Sequence, residues 1–234
     1  MKKTLGVIGG MGPLATVKLF EKIVLLTDAQ SDQEHVHIII DNNTLISDRS
    51  AYILEGGEDP RVELINSAKK LQNMGADFLI MPCNTAHLFY NDIVDNINIP
   101  LLNMIEETAK YIIEYHKDIK NIGLLATEGT YNTKVYDIVF NKYGINIISP
   151  SVQNRANVMD LIYNIKKGIH QENLEGFYEA IKEVKSKNVD LFIIGCTELS
   201  VALQLYKLKG NYIDAMDILA KRAIKFSGAK LINE

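Results

Sequence analysis

The chain is poor in the features that mark several specialised protein classes. Its 234 residues include two cysteines and no tryptophan. The cysteines, Cys83 and Cys196, do not form the Cys-x-x-Cys spacing of a disulfide exchanger, and two thiols are too few for a disulfide scaffold. No apolar run approaches the roughly 18 residues of a membrane span, so no membrane partner is expected. Basic residues are not in excess: 25 Lys and Arg face 29 Asp and Glu, a net charge of -4, which argues against a nucleic-acid partner. Gly/Ser linkers and low-complexity tracts are missing too. The leading "MKKTLGVIGG" has the lysines of a signal peptide, but its apolar part is short and is interrupted by glycines and Pro13. It reads as a first strand, and a cytoplasmic location is expected.

What is present alternates. Short apolar runs read as strands at 4–9, 35–41, 77–81, 121–126, 145–148 and 190–194. Helical patterns fall near 13–28, 59–74, 106–117, 131–142, 154–168, 171–187 and 213–226. Near-continuous apolar strands such as "DFLIM" and "DLFII" suit parallel sheets covered on both faces. The class is α/β.

The chain also resembles itself. "NIGLLATEGTYNTKVY" (121–136) echoes "TLGVIGGMGPLATVKL" (4–19), setting Gly6 on Gly123, Gly12 on Gly129 and Thr16 on Thr133. "NVDLFIIGCTELSV" (188–201) likewise echoes "GADFLIMPCNTAHL" (75–88). Two similar Rossmann-like α/β subdomains with parallel sheets follow, related by a pseudo-twofold axis with the active site in the cleft between them. The expected division is 1–104 plus 209–234 for the first subdomain, with a returning C-terminal helix, and 105–208 for the second.

Gly10-Met11-Gly12-Pro13-Leu14-Ala15 fits the dinucleotide fingerprint, and Asp41 could supply its ribose acid. Pro13, however, removes one of the amides that would face a pyrophosphate. A nucleotide fold also leaves the second half without a purpose. The glycines more simply let backbone approach a small substrate.

The cysteines carry the stronger signal. Both close a buried strand just before a helix, the sheet edge where α/β proteins bind ligands. The following helix start favours thiolate there. Thiols on opposite walls of one cleft can remove a proton from a carbon acid and return one to its other face, inverting the centre without a cofactor. A metal site built from Cys83, His87 and Cys196 offers only three ligands. No base role is assigned to His35, His37, His87, His116 or His170; His37 and His87 read as structural residues.

With "GVIGGMGPLAT", "SDR" at 47–49, "MPCNTAH" at 81–87, "IYNIKKG" at 162–168 and "GCTEL" at 195–199, the sequence resembles the aspartate racemases of the PLP-independent aspartate/glutamate racemase superfamily. The resemblance spans nearly the whole chain. It implies two α/β subdomains, a cysteine pair acting as two bases, no cofactor, an acidic amino acid as substrate and a homodimer. It also implies that Met11 and Gly12 line the site and that Lys166 reaches the cleft, although spacing alone does not separate Lys166 from Lys167. Asn84, Thr85 and Thr197, next to the cysteines, are candidate donors to the α-carboxylate. Thr127 and Thr130 are either further donors or helix caps. Arg49 is the candidate for a second carboxylate, with Asp48 beside it to orient the guanidinium. Glu198 either caps a helix or tunes Cys196, and Tyr163 reads as packing. A related diacid isomerase or decarboxylase, a glutamate-directed or broader racemase, and a non-catalytic sensor of acidic amino acids remain as alternatives.

Overall fold

The computed structural model describes residues 2–170 and 173–232. The expected helix start at 171 lies outside the described residues. The chain runs β1 (Leu5–Gly9), α1 (Pro13–Leu26), β2 (Ile38–Asn42), α2 (Arg49–Glu55), α3 (Arg61–Asn73), β3 (Phe78–Ile80), α4 (Tyr90–Val94) and α5 (Met104–Tyr115). It continues with β4 (Asn121–Ala126), α6 (Glu128–Thr133), α7 (Val135–Asn141), β5 (Asn146–Ile148), α8 (Val152–Lys166), α9 (Glu175–Lys185), β6 (Phe192–Gly195), α10 (Thr197–Leu205), β7 (Tyr212–Asp214) and α11 (Ala215–Ser227).

Two parallel sheets result, ordered β2-β1-β3 and β5-β4-β6-β7. Each half therefore has its first strand in the middle, its second on one side and its third on the other. The repeated glycines sit at equivalent places for the same reason. Gly6 pairs with Leu79 and Gly123 with Phe192, and a Cβ at either would come within 2.5 Å or 2.4 Å of that neighbour's side chain. The repeated threonines match as well: Thr16 Oγ1 donates to Gly12 O at 3.2 Å and Thr133 Oγ1 to Gly129 O at 3.0 Å.

Alternation along each strand feeds two cores per sheet. Leu5, Val7, Phe78 and Ile80 face α1 and α11, while Ile8 and Leu79 face α3. In the second half Leu125, Phe192 and Ile194 pack with α8 and α9, whereas Ile122, Leu124 and Ile193 pack with α5 and α7. A helix that follows the last strand of each repeat thus packs on the sheet of the other repeat. Ile105, Ala109 and Ile112 of α5 complete the core around β4, and Leu219, Ala220, Ala223 and Ile224 of α11 complete the one around β1.

Several expected boundaries shift. Residues 213–214, expected to start the last helix, belong to β7, which bonds to β6; the second sheet therefore extends past residue 208, where the second subdomain was expected to end. The helix expected at 131–142 is two, broken where Lys134 takes φ 53°. β2 begins at Ile38, so His37 precedes the strand rather than lying in it. Among the described residues no helix is long and apolar enough to cross a membrane.

Candidate active site

The carboxyl ends of β1, β3, β4 and β6 deliver their following residues to one place, with α2 and the end of α8 closing the sides. There a cavity is lined by Met11, Asp48, Arg49, Ser50, Cys83, Asn84, Thr85, Thr127, Lys166, Gly195, Cys196, Thr197 and Glu198. Its volume is about 20 Å³, room for about one water.

Of the ten residues expected in the site, nine line this cavity. Gly12, expected to line it, does not; a Cβ there would lie 3.2 Å from Glu198 Oε1. Lys166 is separated from Lys167: the first lines the cavity, the second a surface hollow with Asn157 and Asp160. Ser50 and Gly195 line it without a sequence signal of their own, and Asp48, expected only beside Arg49, lines it too. Asp48 Oδ1 accepts from the amides of Ser50 and Ala51 at 2.8 and 3.0 Å and so caps α2. Asp followed by "RSAYILE" and Gly-Gly is a legible short capped helix.

Both cysteines are free and buried. Cys196 caps α10 without a side-chain bond to its amides, and its thiol donates instead to Glu198 Oε2 at 3.0 Å. Burial pushes the Cys196 thiol well above its ordinary value, the Glu198 charge adds to this, and Lys166 opposes without cancelling it. The expectation that the helix start favours thiolate is reversed here, because burial, with the Glu198 carboxylate two residues on adding to it, outweighs the helix start. Cys83 is followed by Asn84 and a 3-10 turn at Thr85–Phe89 rather than by an α-helix.

The cations are held differently. Burial works to discharge Lys166, but the carboxylates of Glu198 and Asp48, the latter 3.8 Å away, keep it charged, above its ordinary value. The buried Arg49 guanidinium is not oriented by Asp48 as expected. It donates to the backbone carbonyls of Ile46, Ser47 and Met11 at 3.3, 3.0 and 3.4 Å. Among the described residues two buried donors of lining side chains have no partner: Arg49 Nε and Asn84 Nδ2.

Hydroxyls tie the two halves together. Thr85 Oγ1 lies 2.9 Å from Thr127 Oγ1 and 3.0 Å from Thr130 Oγ1, and those two are 3.0 Å apart. Thr127 also caps α6 through the Thr130 amide, so capping and lining coincide at that residue. Thr130 lies outside the lining.

His87 is structural, as expected. The Met104 amide donates to its Nε2 at 3.0 Å, which leaves Nδ1 to donate to Cys83 O at 2.8 Å. With both ring nitrogens engaged, the metal reading through His87 loses its ligand. Asp41, the ribose candidate, is paired with Lys70 at 3.0 Å.

The chain is similar to several racemases. The chain is 34% identical to the aspartate racemase of Picrophilus torridus, with a TM-score of 0.82 over 98% of this chain and 96% of the other. It is 29% identical over 226 residues to a broad specificity amino-acid racemase of Bacillus subtilis (strain 168), covering 94% of this chain and 96% of the relative. A glutamate racemase of Staphylococcus epidermidis is 27% identical over 87% of this chain and 72% of its own length. The Asp/Glu/Hydantoin racemase family matches residues 8–223, and the chain therefore belongs to that family and is a racemase.

Proposed function

We propose that this racemase interconverts L- and D-aspartate without a cofactor, with one of Cys83 and Cys196 taking the Cα proton and the other delivering its own to the opposite face. The observation that carries the proposal is that both thiols line one buried cavity with two unpartnered donors, Arg49 Nε and Asn84 Nδ2. Unpaired buried donors cost about 1–3 kcal/mol each, and a carboxylate supplies what they lack. Cys196 is held as a thiol, so a turn from this form uses Cys83 as base and Cys196 as acid. The Cys83 thiolate takes the Cα proton and charge moves into the α-carboxylate. Asn84, Thr85, Thr127 and Thr197 stabilise it there. Cys196 then delivers its proton to the opposite face, and the next turn runs with the roles reversed. Arg49 and Lys166 hold the side-chain carboxylate.

A broader amino-acid racemase is the second reading. On the cavity wall Arg49 and Lys166 are balanced by Asp48 and Glu198, which favours neutral side chains more than a net cationic wall would. The relative from Bacillus subtilis carries a broad-specificity name.

Proton NMR of L-aspartate in D2O, with reduced protein and no added PLP, tests both. Loss of the α-proton signal with falling optical rotation is expected. Exchange of other amino acids but not aspartate selects the broader enzyme. Binding that survives Cys83→Ser, with no exchange by the unaltered protein, marks a sensor. The homodimer implied by resemblance is a further proposal. It is supported by the apolar residues Leu14, Val17, Phe20 and Leu25 exposed on α1, and light scattering checks it.

A further inference from the structure

The fold treats the two ends of the Asn84 amide differently. Oδ1 accepts a 2.6 Å bond from the Tyr136 hydroxyl, while Nδ2 is buried without a partner among the described residues. Asn84 is 3% exposed and lines the cavity; Tyr136, on α7, is 0% exposed and stands behind the lining. The bond crosses between halves, from a helix of the second to the cysteine loop of the first.

A phenol has one hydrogen to give. Burial pushes the Tyr136 hydroxyl far above its ordinary value, so it keeps that hydrogen. Asn84 Oδ1 is the acceptor for it, which turns the carbonyl end of the amide toward α7 and leaves the NH2 end for the cavity. A flipped amide would strand the phenol's hydrogen and present a carbonyl oxygen to the cavity, where it would repel a carboxylate.

We infer that Tyr136 is a positioning residue for carboxylate recognition, acting through Asn84 to fix which end of its amide meets the substrate. This rests on the racemase reading of the same cavity. Tyr136 touches no substrate, and Asn84 makes the contact.

The test is a double-mutant cycle of Tyr136→Phe and Asn84→Ala, read twice. One reading is KM and kcat for aspartate; the other is calorimetric binding of succinate, a dicarboxylate that cannot racemise. Tyr136→Phe alone should raise KM and weaken succinate on the order of tenfold, the scale of one hydrogen bond. In the Asn84→Ala background it should change either by less than about twofold. Asn84→Asp keeps the acceptor for Tyr136 but replaces the donor by an anion. It should lose succinate binding while retaining the melting temperature. Equal effects of Tyr136→Phe in both backgrounds overturn the inference and leave the racemase intact. A non-additive succinate cycle in a protein that exchanges no α-proton sinks the racemase reading and leaves Tyr136 in its role. If neither succinate nor aspartate binds, there is no carboxylate for Asn84 to hold, and the inference falls.

Discussion

The Cys196 thiol donates to Glu198 Oε2 at 3.0 Å, with both side chains buried. Ionising that thiol would set two negative charges a hydrogen bond apart, away from water. Glu198→Gln removes one of them. Alkylation of Cys196 by iodoacetamide at pH 8, followed by mass spectrometry, should then accelerate on the order of tenfold for each unit by which the thiol's pKa falls. An unchanged rate would mean that Glu198 does not hold the proton in place.

The same pair sets a slope in stability at alkaline pH. The folded thiol's pKa lies above that of the unfolded chain, about 8.5. Below that pH both states are protonated and the contribution is fully present. As pH rises further, the unfolded chain releases its proton first and the native state loses stability until the folded thiol also ionises. Denaturant unfolding between pH 8 and 10 should show this loss, and Cys196→Ala should remove it.

His87 acts at the other end of the scale. Burial depresses it from 6.5 to about 4, against the pull of its bond to the Cys83 carbonyl. The unfolded chain therefore binds the extra proton first. The stabilisation is fully present above pH 6.5 and is lost as pH falls through about 4, a difference of about 3 kcal/mol. His87→Gln should flatten unfolding free energy against pH across that window and lower stability at pH 7. A slope that survives the substitution would assign it to another group.

Asp48 divides its oxygens between two tasks. Oδ1 caps α2, and Oδ2 lies 3.8 Å from Lys166. Asp48→Asn keeps the cap and releases Lys166. The pair is partly exposed, so stability should change by less than about 1 kcal/mol. Turnover should shift toward acidic substrates, the kcat/KM ratio for aspartate over alanine rising severalfold as a competing charge is removed. A falling ratio would show that Asp48 assists acidic substrates.

Gly129 holds α6 against the opposite half. A Cβ there would lie 2.8 Å from Ser50 Oγ and 3.1 Å from Thr85 Cγ2, both on residues of the cavity wall. Helix propensity alone would make Gly129→Ala stabilising by about 0.5–1 kcal/mol. The wedge should instead lower kcat/KM on the order of a hundredfold, since displacements near 1 Å cost that much. Kinetics and melting temperature together decide. Retained activity would show that the halves tolerate the extra methyl group.

The repeat made much of the fold legible, because Gly6 and Gly123 meet the same steric demand and Thr16 and Thr133 make the same bond. The cavity was legible through motifs at the ends of successive strands. β7 was not, since its three residues merge into the apolar pattern of α11. The break at Lys134 lacks a glycine to announce it. Glu198 was visible as an acid after Cys196. What periodicity could not tell was that its carboxylate turns back onto the thiol instead of away from it. The carbonyls that hold Arg49 come from Met11, Ile46 and Ser47, which converge only in three dimensions.

The exchange of α5 and α11 between halves has a thermodynamic consequence. Each sheet is sealed by a helix encoded at the end of the other repeat, so a fragment ending near residue 104 would leave apolar surface of β1 and β3 wet. Duplicated sequence ordinarily suggests units that can melt independently. Here calorimetry should record one transition, because what the sequence writes as two similar halves folds as a single cooperative body.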